Sequence, residues 1–178
     1  ESKKIVLNSA VASQILDGSV WTMSVWFKPV SQSQRVPILV RYDKSATPRG
    51  GFEVHYETTN VISFRRYDGA ANNYEITKAI TESQWTHLTF VSSENAIFLY
   101  TDGQLTDSKT RTTCGTTWPD IQGSNHILGV GVECHADKAD SSACPDYKNW
   151  HDYAGYLQDL RIHDRALTAA EIPALVSA

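Results

Sequence analysis

The densest run of catalytic residue types in the chain is Glu53-Val54-His55-Tyr56-Glu57. Strand side chains alternate, so Glu53, His55 and Glu57 share one face. Two carboxylates on one face suit glycoside hydrolysis, which in its retaining form needs them about 5–5.5 Å apart. The same face serves equally as a solvated surface with a Glu–His contact. No Ser/His/Asp set has recognisable context, and no His-Glu-x-x-His or Gly-rich phosphate loop is present.

A second constellation is the polar excursion from Glu133 to Asp152. It carries Glu133, Asp137, Asp140, Asp146 and Asp152 against Lys138 and Lys148. With Asn149 these could supply some of the roughly six to eight oxygens that calcium takes. Cys134 and Cys144 bracket the polar stretch, and a disulfide there would close the loop with a gain of about 2–3 kcal/mol. Three reduced, buried thiols are the other reading, and Cys114 is the odd one out. Zinc through His135, His151 and a Cys follows no usual spacing.

Two further groups suit ligand recognition. Trp118, in Thr116-Thr-Trp-Pro, and Trp150, beside Tyr147 and Tyr153, offer ring faces for a sugar. Asn125, Asn149, His151 and Asp152 could bond its hydroxyls. Otherwise these rings cap the edge of the core. The candidate glycan site is placed at this loop end, because loops vary without disturbing a core. Finally, Arg35, Arg41, Lys44 and Arg49 stand against Asp43 alone. Strand alternation would put Arg41, His55 and Arg65 on one face if their strands are neighbours. Arg forks bind carboxylate or sulfate, so that face could take an acidic glycan; scattered surface charge is the alternative.

The elements that must position these residues are short strands. Trp21, Met23, Val25 and Phe27 alternate against Thr22, Ser24 and Trp26, and Pro29 ends the run. Similar runs cover Lys4 to Leu7, Val36 to Tyr42, Phe52 to Tyr56, Val61 to Tyr67 and Tyr74 to Ile76. Trp85 to Val91, Ala96 to Tyr100, Ile127 to Val132 and Tyr153 to Ile162 follow, and Asp102-Gly103 closes a hairpin onto Leu105. Trp21, Trp26 and Trp85 are assigned to the core or its margin. One helical turn is signalled at Thr168, with Glu171 three residues on as a capping box. Leu157, Leu160 and Ile162 are expected to pack against Ile172 and Leu175. Many short strands predict an all-β sandwich.

The 178 residues suit one domain, taken as 1–178. A net charge of −4 argues against nucleic-acid binding. No apolar run approaches the ~18 residues of a membrane span. The chain begins at Glu1 without Met or signal peptide, and reads as a processed chain or a cut module.

Four segments in order resemble one family. They are Trp21-Thr-Met-Ser-Val-Trp-Phe-Lys-Pro29, Gln84-Trp-Thr-His-Leu-Thr-Phe-Val91, Phe98-Leu-Tyr-Thr-Asp-Gly103 and Gly155-Tyr-Leu-Gln-Asp-Leu-Arg-Ile-His-Asp-Arg-Ala-Leu-Thr-Ala-Ala-Glu-Ile172. Together they resemble laminin-G-like and pentraxin-like jelly rolls of the concanavalin A-like lectin/glucanase superfamily. The resemblance implies a jelly-roll β-sandwich of two antiparallel sheets with one short C-terminal helical turn. It implies a noncatalytic carbohydrate-binding or adhesion module of a secreted or cell-surface protein, with a glycan or glycoprotein partner. The fold also hosts protein-binding adhesion domains and glucanases. Glucanases carry Glu-x-Asp-x-Glu on a strand; here Glu53 and Glu57 flank His55 in place of the Asp, and no Trp adjoins them. Ile127-Leu128-Gly129 resembles the lead-in to a pentraxin calcium loop. After that lead-in the family's acidic ligands become Gly131, Val132 and Glu133, so only Glu133 fits there. The expected calcium set adds Asp137, Asp140 and Asp152 from the acidic excursion, with Gln158 where relatives often carry Asp, and Asp159 beside it.

Overall fold

The computed structural model describes residues 5–7, 16, 20–42, 50–68, 73–112, 118, 128–131 and 153–177. Eleven strands and one helix are described. They are β1 (Ile5–Leu7), β2 (Trp21–Lys28), β3 (Val36–Tyr42), β4 (Gly51–Glu57), β5 (Val61–Tyr67) and β6 (Asn73–Ala79). Then come β7 (Thr86–Ser92), β8 (Ala96–Thr101), β9 (Gln104–Thr110), β10 (Leu128–Val130), β11 (Tyr156–His163) and α1 (Ile172–Val176). Two antiparallel sheets result, one of six strands in the order β1-β10-β3-β4-β5-β6 and one of five in the order β11-β2-β7-β8-β9. This is the jelly-roll sandwich expected.

Alternation builds the core between the sheets. From the five-stranded sheet come Trp21, Met23, Val25, Phe27, Leu88, Phe90, Ile97 and Leu99. Leu39, Phe52, Val54, Tyr56, Ile62, Phe64 and Ile76 meet them from the six-stranded sheet. Trp21 lies against Phe52 at 4.7 Å between ring centroids, and Phe64 meets Phe90 edge-on at 5.2 Å. Asn60 turns β4 into β5 in the left-handed region, as do Asp102 and Gly103 between β8 and β9. Gly103 also lies close against the C-terminal helix: a Cβ there would stand 3.3 Å from both Pro173 and Val176.

Three packing expectations change. Leu157, Leu160 and Ile162 pack on the main core, because Ile162 pairs with Met23 on the inner face. Ile172, Leu175 and Leu167 instead cover Val91, Tyr100 and Phe98 on the outer face of β7 and β8. Thr22 directs that crossing: its hydroxyl donates to Arg165 O and accepts from Leu167 N–H, both at 2.9 Å. The helix starts after the predicted turn, yet Glu171 does reach back to the Thr168 N–H at 2.8 Å. Of the tryptophans assigned to the core, Trp21 is buried, Trp26 is half-buried on the outer face, and Trp85 is 42% exposed.

Candidate functional site

The outer face of the six-stranded sheet carries a ladder of charges. Register places Glu53 opposite Arg65, and Arg65 opposite Glu75, in one rung across β4, β5 and β6. The next rung holds His55 and Ser63, and the one after it Glu57. Glu53, His55 and Glu57 therefore share a face, as alternation requires.

Arg35, just before β3, ties the rungs together. Its Nη2 lies 2.7 Å from His55 Nδ1 and 3.4 Å from Glu53 Oε2, and its Nε lies 3.4 Å from Glu57 Oε1. Arginine can only donate, so His55 Nδ1 accepts and the ring proton sits on Nε2. Tyr67 donates to Glu53 Oε2 at 2.7 Å, and Ser63 to Glu57 Oε1 at 2.9 Å. Arg65 donates through Nε to Glu75 Oε1 at 2.9 Å, and its Nη2 stands 2.7 Å from the same oxygen. Burial works against the Arg65 charge, but the hydrogen bond and charge of Glu75 outweigh it and raise its pKa above the usual value.

Glu53 and His55 are buried although they face away from the core, while the Arg35 side chain is 39% exposed. The ladder thus has a fixed floor and an accessible edge of Arg35, Glu57, Arg65 and Glu75. Planar guanidinium and carboxylate groups offer paired donors and acceptors to hydroxyl-rich ligands. The arrangement suits hydrolysis poorly. The Arg35 guanidinium bridges Glu53 and Glu57, where a glycosidic oxygen would have to sit.

Several sequence expectations fall elsewhere. β3, β4 and β5 are neighbours, but Arg41 pairs with Phe52 on the core face and is fully buried, so it does not join His55 and Arg65. Trp118 is 1% exposed, a core residue rather than a ring face for a sugar. Its Nε1 donates to Ser93 O at 2.6 Å, and its ring meets Tyr74 edge-on and lies near the Arg66 and Arg111 guanidinium groups. Tyr153 is buried too, stacked on Phe27 and donating to Lys28 O at 2.7 Å, and burial pushes its hydroxyl pKa up. Gly155 permits this packing, because a Cβ there would collide with the Tyr153 hydroxyl.

Asn149, Trp150, His151 and Asp152 lie outside the described residues, as do Glu133, Asp137, Asp140 and the three cysteines, including Cys134 and Cys144. Gln158 is exposed on β11, and Asp159 is held by Arg161 at 2.6 Å. Among the described residues no group of three His, Cys, Asp or Glu could hold a metal ion. Those residues do not make a calcium site by themselves, and a guanidinium already occupies Asp159.

Arg35, Tyr67 and Glu75 were not assigned to the Glu53–Glu57 face from sequence. Parity along the β5–β6 hairpin carries the signal for Tyr67 and Glu75. Arg35 precedes its strand, so no alternation pattern could place it.

A laminin-G-like sandwich with a polar ladder on one outer face defines the class. The chain belongs to the concanavalin A-like lectin/glucanases superfamily: a laminin G family model so described matches residues 5–173. No curated protein matches it in sequence. Among solved structures, it is similar to the Ruminococcus gnavus IT-sialidase CBM40 bound to α2,3-sialyllactose. That match has 12% identity and a TM-score of 0.70, and covers 98% of this chain and 97% of that one. It is also similar to the botulinum neurotoxin serotype D binding domain, with 13% identity and a TM-score of 0.68 over 99% of this chain. A botulinum neurotoxin DC binding domain in complex with rat synaptotagmin II matches at 12% identity and a TM-score of 0.64, over 99% of this chain. The chain spans about 40% of the length of these neurotoxin domains. No helix among the described residues is long and apolar enough to cross a membrane.

Proposed function

We propose that this chain is a noncatalytic carbohydrate-binding module of a secreted or cell-surface protein. Its binding edge is the outer face of the six-stranded sheet. The observation that carries the reading is the ladder of Arg35, Glu57, Arg65 and Glu75 on its buried floor of Glu53 and His55. Each arginine is already balanced by a carboxylate, so the face suits hydroxyl-rich sugars rather than strongly acidic ones. The superfamily and the sugar-bound CBM40 neighbour support carbohydrate binding in general; the neutral preference rests on the paired charges of this face alone, since α2,3-sialyllactose is itself acidic.

A glycan array tests it. The wild-type protein is expected to retain a defined set of glycans and to release no reducing sugar from them. Arg35→Ala should lose that retention while staying folded. A wild-type protein that binds no glycan overturns the reading in favour of a protein-binding adhesion domain. Reducing-sugar release that disappears in Glu57→Gln overturns it in favour of a glycosidase.

A further inference from the structure

The opposite face of the sandwich exposes two large aromatic rings at one end of the five-stranded sheet. Trp85 is 42% exposed and Tyr156 is 59% exposed. Their ring centroids are 6.4 Å apart and the planes meet at 56°. The rings thus form a contiguous aromatic pair bordered by polar side chains, an arrangement that can take the apolar face of a ligand. Tyr156 pairs with Lys28 across β11 and β2, and the Lys28 ammonium stands 5.7 Å from the centroid of the Tyr156 ring. One rung along the sheet, Gln158 pairs with Trp26, which meets His87 edge-on at 5.1 Å.

The backbone beneath this group is fixed from two sides. Ser83 N–H donates to Pro29 O at 2.9 Å, which ties the turn before Trp85 to the end of β2. The Tyr153 hydroxyl donates to the carbonyl of Lys28 itself. A platform held in this way costs little ordering on binding. Lys28 forms no ion pair with a carboxylate among the described residues, in contrast to Arg35 and Arg65 on the other face.

We infer that Trp85, Tyr156 and Lys28 form a second glycan site, specific for a pyranose that carries an anionic group. The rings take the apolar face of the sugar, Lys28 pairs with its carboxylate or sulfate, and Gln158 is placed to bond a hydroxyl. Charge complementarity selects this occupant: the Lys28 ammonium stands by the rings with no carboxylate paired to it among the described residues, whereas each arginine of the ladder on the opposite sheet is paired to one. The inference rests on the carbohydrate-binding reading but uses none of the ladder residues.

Titration calorimetry with three probes tests it: a hyaluronan tetrasaccharide (carboxylate only), a keratan sulfate tetrasaccharide (sulfate only) and neutral chitotetraose. At least one acidic probe should bind roughly tenfold tighter than chitotetraose, and which one does identifies the anionic group. Trp85→Ala should weaken that binding roughly tenfold or more, and Lys28→Met should abolish the preference for the acidic probe. Lys109→Met, which removes an exposed cation at the far edge of the same sheet, should leave it unchanged. Circular dichroism confirms that each variant is folded, as expected for positions outside the core.

Acidic-probe affinities unchanged in both Trp85→Ala and Lys28→Met overturn the inference. So does a wild-type protein with no preference for an acidic probe. If Arg35→Ala abolishes binding while Trp85→Ala does not, the carbohydrate-binding reading survives and this site falls. If Trp85→Ala instead converts a dimer to a monomer without altering glycan binding, the platform's occupant is a second copy of the chain.

Discussion

Replacing Trp118 by alanine separates a core role from a ligand-binding one. Trp118 is almost fully buried, with its indole N–H bonded to Ser93 O at 2.6 Å. Arg66, itself buried, lies between two rings, 5.2 Å from Trp21 and 5.1 Å from Trp118. Truncating a buried Trp costs about 3–5 kcal/mol. The loss should fall in the upper half of that range, about 4–5 kcal/mol, because a desolvated guanidinium also loses one of its two ring faces. For a chain of this length each kcal/mol shifts the melting temperature by about 2–4 °C, so Trp118→Ala should melt about 8–20 °C lower. Trp118→Phe keeps a ring but loses the bond to Ser93, and should cost about 1–2 kcal/mol. Differential scanning calorimetry of the three proteins gives the answer. Trp118→Ala melting within about 3 °C of wild type, with glycan binding lost, would refute the core assignment and restore Trp118 to a ligand platform.

Three other outcomes follow from charge and burial. The hydrogen bond from Arg165, with those from Thr168, holds the Glu171 carboxyl at about 2, below its ordinary 4.5. Its stabilising effect is therefore present above pH 4.5 and lost as pH falls toward about 2. The melting gap between wild type and Glu171→Gln should be open at pH 6 and close by pH 2; a gap constant with pH sinks this assignment. Burial holds the His87 pKa below its usual 6.5, against the pull of Asp102. The unfolded chain then takes up a proton before the folded one, so stability falls as pH drops below 6.5. An NMR titration midpoint for His87 at or above 6.5 would contradict this. Calcium held by Glu133, Asp137, Asp140 and Asp152 with Gln158 would raise the melting temperature by mass action, and equal melting in millimolar calcium and in chelator removes that proposal.

The strands were legible because alternation is local. Trp21, Met23, Val25 and Phe27 need only a pleat to reach the core, and Glu53, His55 and Glu57 need only the same pleat to share the other face. The tryptophans outside that pattern exchanged places. Trp118 sits in no strand, and its burial depends on Ser93, Tyr74, Arg66 and Arg111, brought together only by the tertiary fold. Trp85 lies at the start of a strand that otherwise reads as core, one residue before register with β2 begins.

Arg41 shows how one residue can move a site. Pro37 pairs with His55, but the register shifts before Leu39 pairs with Val54. One extra residue on β3 reverses the facing of everything after it. Without that bulge Arg41 would stand on the outer face beside His55 and Arg65, and the basic patch read from the sequence would exist. With it, Arg41 shares a rung with Phe52 and Arg66 inside the sandwich. The outer face keeps Arg35 and Arg65, both bound to carboxylates, and so loses the excess charge an acidic ligand would need. On the opposite sheet Lys28 keeps the outward facing that alternation gives it, because β2 pairs with β7 from Trp21 to Phe27 with no register shift.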